Sequence, residues 1–325
     1  MNSQTTPSAS PPPPASLLPA LELSRALAAV VEQASVAVVQ VEARHRMSAS
    51  GILWSSDGVV VAADHTIQRD EDIVVGLAGG ERVPATLAGR DATTDLAVLR
   101  LAQPASAGAP APPASRAPLQ TPSWSDLEDL RVGHLVLAVG RPGRQVRASF
   151  GIVSDLRPIW RTPGGGRLDR YLQVDVGLAH GFSGSLLVDA AGRALGLATT
   201  GLVRGRALAL PASTIGRVVG ALLADGRIRR GFLGVGVHPV RLPADLAQRA
   251  GQQAALVVVG LQPAGPAERA GVLLGDVLLT IDGQPAGDLG ELHAYLGEER
   301  AGAAATLHIL RAGEIRDLRV ELGAR

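Results

Sequence analysis

The sequence predicts a mainly β protein made of two domains. Its 325 residues exceed the usual size of one domain, which is about 150 residues. Hydrophobic residues make up 46% of the chain, enough for a buried core in each domain. Short runs of Val, Leu and Ile, separated by Gly, Pro or Asp, follow one another with the rhythm of β-barrels or sandwiches.

The elements of the first domain are predicted after an N-terminal tail. Residues 1–18 are rich in Pro, Ser and Thr and are expected to be disordered, because they cannot bury enough apolar surface. Apolar residues at helical spacing predict helices over 21–33 and 211–224. An Ala/Pro-rich insertion at 103–122 is expected to be a surface loop. Strands are predicted at 36–41, 59–62, 73–77, 97–101, 135–139, 149–153 and 194–199.

The second domain begins after the helix at 211–224, where a Gly and three Arg residues interrupt the apolar pattern. We therefore expect a tail at 1–18, one domain at 19–227 and a second at 228–325. The second domain is predicted to contain strands at 232–237, 255–260 and 277–281, helices at 268–270 and 288–296, and a hairpin around 312–313.

Composition excludes several functional classes. The chain has 31 basic and 30 acidic residues, so no general attraction to nucleic acid or an anionic membrane is expected. Every basic residue counted is Arg, and the absence of Lys excludes a Walker A lysine, Schiff-base chemistry and a Ser-Lys dyad. The absence of Cys excludes a disulfide, a thiolate nucleophile and a Cys-ligated metal.

The sequence as written shows neither a secretory signal nor a transmembrane run. The first basic residue is Arg25, and the apolar stretch after it is interrupted by Glu32 and Gln33. No run of about 18 uncharged apolar residues occurs. We therefore expect a cytoplasmic protein, or an exported, periplasmic one if the true start lies upstream.

Three segments of the first domain hold, in order, a His, an Asp and a Ser. They are VVAADHTI with His65, TTDLAVLRL with Asp95 and AHGFSGSLL with Ser183. Amide hydrolysis requires an alcohol activated by a base, and a carboxylate that orients that base. Each residue alone has an ordinary structural explanation, as a turn or core residue, but together they predict a catalytic triad.

The glycines around Ser183 bear on the same chemistry. Gly181 and Gly184 permit a sharp turn, so the N–H groups of Gly181 and Ser183 are expected to converge on a developing oxyanion. The rival G-x-S-x-G motif requires Gly where this chain has Ser185, and its triad runs Ser, Asp, His. An α/β-hydrolase is therefore disfavoured.

The first 225 residues resemble the trypsin-like protease domain of the HtrA/Deg family. The resemblance is carried by SGILWSSDGVVVAADHTI, DATTDLAVLRL, LRVGHLVLAVGRP, GIVSDL and YLQVDVGLAHGFSGSLLVDAAGRALGL, which follow one another in the family's order. It implies a double six-stranded β-barrel without metal or cofactor. In that fold His65 is general base and then acid, Asp95 orients it, and Ser183 attacks the scissile carbonyl.

The nucleophile loop departs from the family pattern. The family's G-N-S-G-G-P-L reads Gly181-Phe182-Ser183-Gly184-Ser185-Leu186-Leu187 here. A bulky Phe182 could tilt the loop and rotate a peptide N–H away from the site. Two hypotheses therefore stand: an active serine endopeptidase, and a catalytically weak or inactive peptide-binding or chaperone protein of the same fold.

Two positions before the loop bear on specificity. Position 177, where trypsin-like enzymes that bind basic side chains carry an acid, is Gly177, so cleavage after Arg or Lys is not expected. Leu178 fits the small apolar pocket of the family and implies cleavage after small aliphatic residues. The alternative is that Leu178 is an ordinary core residue.

The remaining histidines show no metal-binding spacing and are expected to be surface or packing residues. They are His45, His134, His180, His238, His293 and His308.

Residues 231–325 resemble a PDZ domain, a small β-barrel or sandwich with two helices, through GFLGVGV, PAGPAERAGVLLGDVLLTIDGQPAGDLGELHAYL and ILRAGEIRDLRVEL. The resemblance implies a loop of backbone amides that binds the terminal carboxylate of an added peptide strand. This loop consists of Phe232, Leu233, Gly234 and Val235. Leu289, His293 and Leu296 fall at i, i+4 and i+7 and form either the opposite wall of the groove or plain core.

The resemblance implies degradation of misfolded or unfolded proteins and binding of C-terminal peptides. Family members usually form trimers through aromatic residues near the N-terminus of the protease domain. The first 53 residues here contain no Phe, Tyr or Trp, so a homotrimer and a monomer are both left open.

Overall fold

The computed structural model describes residues 18–44, 47–103 and 118–324. Within them the chain is mainly β, as predicted, with two closed six-stranded barrels followed by an open six-stranded sheet. Nearly all of the predicted tail, His45 and most of the 103–122 insertion lie outside the described residues. Leu18, which we expected in the tail, is the first residue of a helix. No helix of the described chain is long and apolar enough to cross a membrane.

The first barrel contains β1 to β6, and all of its pairs are antiparallel. The strands are β1 (Val38–Glu42), β2 (Ala49–Leu53), β3 (Val59–Ala63), β4 (Ile73–Gly76), β5 (Arg82–Asp91) and β6 (Leu96–Leu101). They close in the spatial order β1-β2-β3-β6-β5-β4. Strand β3 is buried along its whole length because Val60 and Ala62 face the interior of the barrel, while Val59 and Val61 belong to the core shared with the second barrel.

The second barrel closes in the order β11-β14-β13-β12-β7-β8. Its strands are β7 (Leu135–Gly140), β8 (Arg147–Arg157), β11 (Tyr171–Val174), β12 (Ser185–Asp189), β13 (Ala194–Thr199) and β14 (Ala207–Pro211). A short hairpin of β9 (Trp160–Arg161) and β10 (Arg167–Leu168) separates β8 from β11. The two barrels meet over a shared apolar core to which β3, β6, β7, β12 and β13 all contribute.

Two helices pack against this double barrel, α1 (Leu18–Ser35) and α2 (Ala212–Asp225). Helix α2 buries Ile215, Val218 and Leu222 at helical spacing and contacts strands of both barrels. It ends at Gly226, whose φ of 70° is the left-handed conformation that closes many helices. Helix α1 extends three residues before and two residues after the predicted 21–33, and α2 is displaced by one residue from the predicted 211–224, because capping geometry is poorly marked in the sequence.

The C-terminal region forms its own core around an open sheet of order β16-β17-β18-β20-β21, with β19 paired to β18. Its strands are β15 (Gly231–Phe232), β16 (Val235–Arg241), β17 (Ala254–Leu261), β18 (Val277–Ile281), β19 (Gln284–Pro285), β20 (Ala304–Arg311), β21 (Glu314–Glu321) and β22 (Gly323–Ala324), with β15 paired to β22. Its helices are α3 (Ala244–Ala250), α4 (Pro266–Arg269) and α5 (Leu289–Tyr295). The strand predicted at 232–237 is divided at Gly234, whose φ of 78° breaks the extended chain.

Candidate active site and peptide groove

His65 and Asp95 are brought together by two neighbouring strands of the first barrel. His65 lies in a single 3-10 turn, Asp64–Thr66, directly after β3, and Asp95 directly precedes β6, which pairs with β3. The His65 Nδ1 atom lies 2.9 Å from both carboxylate oxygens of Asp95. The His65 side chain is 38% exposed and that of Asp95 only 4%, so the imidazole reaches solvent while the carboxylate stays inside.

The Asp95 carboxylate has two further donors. The backbone N–H of His65 donates to Oδ1 at 2.9 Å, and the hydroxyl of Thr199 donates to Oδ2. Thr199 is fully buried at the end of β13, so this contact joins the second barrel to the first. Asp95 itself has a φ of 56°, an uncommon conformation for a residue with a side chain. The surrounding contacts therefore hold the carboxylate in a fixed direction.

Ser183 lies in the second barrel, on the loop before β12, and is 7% exposed. Its Oγ atom lies 3.3 Å from Thr200 Oγ1 and accepts a hydrogen bond from the Thr200 amide at 3.4 Å. Within the described chain no hydrogen bond joins Ser183 Oγ to His65. Gly201 packs on the acid–base pair so closely that a Cβ there would lie 2.5 Å from His65 Nδ1. The segment 199–201 thus contacts all three predicted catalytic residues.

The oxyanion loop requires glycine at Gly181. This residue has a φ of 84°, and a Cβ there would lie 2.8 Å from the Ser48 carbonyl oxygen. Its own carbonyl accepts a hydrogen bond from Ser50 Oγ at 2.9 Å. Among the described residues neither the Gly181 amide nor the Ser183 amide has a hydrogen-bond acceptor, so both can donate to an oxyanion.

Phe182 is turned into the core of the second barrel. It is 4% exposed and belongs to a cluster with Val136, Val176 and Leu187. Its amide donates to the Ala179 carbonyl at 3.0 Å, which closes the turn before Ser183. Phe182 therefore anchors the loop through its contacts with the core of the second barrel, and its ring does not cover Ser183.

Two arginines brace the turn that carries His65. Arg44 donates from Nε to the Thr66 carbonyl at 2.9 Å, and burial lowers the pKa of its guanidinium. Arg90 donates to the Asp64 carboxylate and at 3.0 Å to Asp70. Burial raises the pKa of the Asp64 carboxyl above its ordinary value, against the opposing effect of Arg90. These contacts support the turn that carries His65.

The two predicted specificity positions lie beside the nucleophile loop. Gly177 is exposed, and the nearest atom to a Cβ there would be Ser149 Oγ at 3.5 Å. Leu178 is half-buried and packs against the core of the second barrel. Its position is compatible with a pocket wall and with a core residue, so the specificity prediction stays open.

The C-terminal domain contains a groove of about 430 Å³. All four residues of the predicted carboxylate loop line one end, and Leu289, His293 and Leu296 line the helical wall. The C-terminal end of α5 lies near the loop, because the Gly231 amide donates to the Gly297 carbonyl at 3.2 Å. Gly164 and Gly165, from the β9–β10 hairpin of the second barrel, also border the groove.

The linker between the domains is tied to the active-site strand pair. Arg230 lines the groove and donates from its NH2 atom to both carboxylate oxygens of Asp91 at 3.2 Å. Thr93, in the same turn, receives a further hydrogen bond from Arg230, and its carbonyl accepts one from Thr162 at 2.7 Å. This turn leads directly into Asp95.

Sequence reasoning did not find Thr199, Thr200, Ser50, Arg44 or Arg230. Each is a common polar residue in or beside an apolar segment, and no local spacing marks it. Their roles depend on contacts between distant parts of the chain. In the described ranges no group of three His, Asp or Glu residues is arranged to hold a metal.

These features define a trypsin-like peptidase domain joined to a PDZ domain. The family model described as "Trypsin-like peptidase domain" matches residues 49–197, and the model described as "PDZ domain" matches residues 231–322. The first match contains His65, Asp95 and Ser183, and the second contains the carboxylate loop and α5.

Relatives agree with this assignment. A "Probable periplasmic serine endoprotease DegP-like" from Rhizobium meliloti is 33% identical over 288 residues, covering 86% of this chain and 54% of the relative. A protein of the same description from Halomonas elongata is 33% identical over 285 residues, covering 86% and 56%. The chain thus spans about half the length of these curated relatives.

Solved structures match over nearly their whole length. The structure described as "HtrA-type protease AlgW with tripeptide" is 31% identical, with a TM-score of 0.68, and the match covers 92% of this chain and 97% of the other. A serine endoprotease from Yersinia pestis is 27% identical, with a TM-score of 0.68 over 91% and 97%. The chain belongs to the HtrA/Deg family of serine proteases.

Proposed function

We propose that the chain is a serine endopeptidase that cleaves unfolded or misfolded proteins and binds C-terminal peptides at its PDZ domain. The observation that carries the proposal is the His65–Asp95 pair, joined at 2.9 Å, beside a serine loop with two available amides. The position of Phe182 in the core supports an active enzyme over the binding-only alternative.

The geometry supports acyl transfer through Ser183. His65 Nε2 accepts the hydroxyl proton as Ser183 Oγ attacks the scissile carbonyl carbon. The oxyanion so formed receives hydrogen bonds from the Gly181 and Ser183 amides. His65 then returns the proton to the leaving amine, and water repeats the sequence on the acyl-enzyme. Asp95 orients the imidazole and stabilises its charged form.

The resting contacts must change for the first step. Ser183 Oγ contacts Thr200 at 3.3 Å in the structure, so its hydroxyl must exchange Thr200 for His65 before attack. Catalytic hydrogen bonds of this kind often tighten only when substrate binds.

Gly177 and Leu178 support cleavage after small aliphatic side chains. Neither residue supplies a carboxylate that could bind a basic substrate side chain.

The groove supports peptide capture by strand addition. Strand β16 is at the edge of its sheet, and all four residues of the loop before it line the groove. Three of the residues that α5 and its C-terminal end contribute to the groove, Leu289, Leu292 and Leu296, are apolar and suit apolar side chains near the peptide terminus.

Cleavage of unfolded casein tests the enzymatic proposal, with Ser183→Ala beside the unsubstituted chain. We expect the substitution to lower the rate by at least about a thousandfold. A fluorophosphonate probe should label the unsubstituted chain and not the variant.

Addition of a peptide with an apolar C-terminus tests whether the PDZ domain regulates cleavage. A folded protein that neither cleaves casein nor takes the probe would be the binding-only alternative.

Domain limits, compartment and assembly are further parts of the proposal. We infer domains over 19–227 and 228–325, to be checked by limited proteolysis of the purified chain.

The names of the relatives favour the periplasm over the cytoplasm expected from the sequence. Cell fractionation distinguishes the two compartments.

We propose a homotrimer, as is usual in the family. Light scattering that shows a monomer would contradict it.

A further inference from the structure

Strand β16 presents one hydrogen-bonding edge to the peptide groove. Within the described chain it pairs only with β17, and Val235, Gly236 and Val237 line the groove. An added peptide strand must therefore use the backbone groups of β16 that point away from β17. Which residues these are decides how much of a peptide the strand can hold.

The register of β16 and β17 identifies the outward-pointing residues. The Gly234 carbonyl accepts from Gln262, and the Leu242 amide donates to Gln253, each at 2.9 Å, so even-numbered residues face β17 at both ends of the strand. The bulge between the two ends lies on β17, where Gly236 pairs with Gly260 and Val237 with Val258, leaving the alternation on β16 intact.

The hydrogen bonds that β17 makes on its β18 side indicate the same set of outward-pointing residues on β16. Val258 donates to the Asp276 carbonyl at 2.8 Å, on the β18 side, so its neighbour Val257 faces β16, where it pairs with His238. Because the pattern alternates along an antiparallel pair, Val235, Val237, Pro239 and Arg241 direct their backbone groups to the groove edge.

Pro239 interrupts this edge. It is exposed and has no N–H, so the position offers a carbonyl acceptor and no donor. Val237 offers both groups. Consider a peptide bound with its terminal carboxylate at the loop that ends in Val235. The peptide residue two positions before its C-terminal residue would then lie opposite Val237. The residue four before its terminus would lie opposite Pro239, and its carbonyl would have no donor on the strand.

We propose that Pro239 limits reciprocal main-chain hydrogen bonding in the PDZ groove to the last three residues of a peptide, because a residue opposite Pro239 can donate to its carbonyl but receives no hydrogen bond in return. The inference rests on the proposed peptide-binding function and adds the length of chain that the groove reads. Residues further from the terminus add little affinity through their backbone, so the domain selects short apolar termini with little dependence on the preceding chain.

The test compares two peptides that share three C-terminal residues. They are acetyl-Val-Leu-Val and acetyl-Ala-Ala-Ala-Val-Leu-Val, both with a free carboxylate, so the longer peptide adds mainly backbone. Binding is measured by calorimetry on the full chain carrying Ser183→Ala, which prevents cleavage. Pro239→Ala and Pro239→Val restore the missing donor. Pro285→Ala is the matched control, an exposed strand proline that does not line the groove.

We expect the two peptides to bind the Ser183→Ala chain with affinities within about threefold of each other. Both Pro239 variants should tighten the longer peptide by about threefold to tenfold, the effect of one added hydrogen bond, and leave the shorter one unchanged. Pro285→Ala should change neither. A longer peptide that already binds more than about tenfold tighter, or Pro239 variants that tighten both peptides equally, would overturn the inference. Failure of both peptides to bind any variant would refute the peptide-binding function itself, and the inference with it.

Discussion

Asp95 receives more polar contacts than the other two predicted catalytic residues. Its carboxylate accepts from the His65 ring, the His65 amide and the Thr199 hydroxyl, and it is almost completely buried. A buried carboxylate with several hydrogen-bond donors is held in a fixed direction. We therefore propose that Thr199 acts, through Asp95, as a positioning residue for His65.

Thr199→Val tests this role. Loss of one donor to the carboxylate should lower kcat/KM by about tenfold to a hundredfold. Thr199→Ser, which keeps a hydroxyl at this position, should restore the rate. Equal losses in Thr199→Val and Thr199→Ser would indicate a packing defect only.

The contact between His65 and Asp95 was predictable from the sequence because the two residue types stand in separate motifs in a recognisable order, while Ser183 as nucleophile stays a prediction. The contact of Ser183 with Thr200 was not predictable, because a serine rotamer depends on neighbours that only the folded chain brings near. The same applies to Phe182. The sequence shows a bulky residue beside the nucleophile, but only packing decides whether its ring enters the core or the site.

In the PDZ domain, two strands are joined by a buried ion pair. Asp276, directly before β18, is 2% exposed and receives two hydrogen bonds of 2.7 Å from Arg311 at the end of β20. Burial alone would raise the pKa of the Asp276 carboxyl. The hydrogen bonds from Arg311 and from the Leu273 amide outweigh this effect and lower it.

Because the folded pKa of Asp276 is below its ordinary value, its stabilising contribution is complete above about pH 4 and is lost as the pH falls further. Asp276→Asn should therefore lower the free energy of unfolding by about 2 kcal/mol at pH 7 and by much less at pH 3. Urea unfolding at the two pH values measures this. Glu314→Gln, in an exposed pair with Arg316, is the control and should change neither value. Equal losses for Asp276→Asn at both pH values would contradict the ion-pair explanation.

Elements with a continuous apolar run were predicted closely, and β13 and β18 were predicted to the residue. Strand β5 was missed because its exposed and buried residues alternate and it contains Pro84. Strand β12 was missed because Ser185 and Asp189 stand at its ends, although all five of its residues are buried. In both cases burial is decided by barrel closure, which local patterns do not encode.

The two domains are joined by arginines at separate points. Arg217 of α2 contacts Glu298 of the PDZ domain, and Arg230 of the linker contacts Asp91 and Thr93. The second contact reaches the turn that ends at Asp95. The linker is therefore part of the support of the active site as well as a covalent connection.

Arg230→Met should lower kcat/KM on the order of tenfold, because the Asp91 carboxylate loses its charged donor and the turn before Asp95 loosens. The measurement is cleavage of casein by the full chain. Arg229→Met is the matched control, since Arg229 is exposed and pairs with Asp225 on the protease side only. Equal effects of the two substitutions would show that the linker contact does not support the site.

Ser183 and the His65–Asp95 pair lie on different barrels, and the second barrel closes only when β14, ending at Pro211, pairs with β11 and β13. A ribosome must therefore translate about two thirds of the chain before the nucleophile can meet its base. A chain truncated before β14 would therefore contain His65, Asp95 and Ser183 without the closed barrel that positions Ser183.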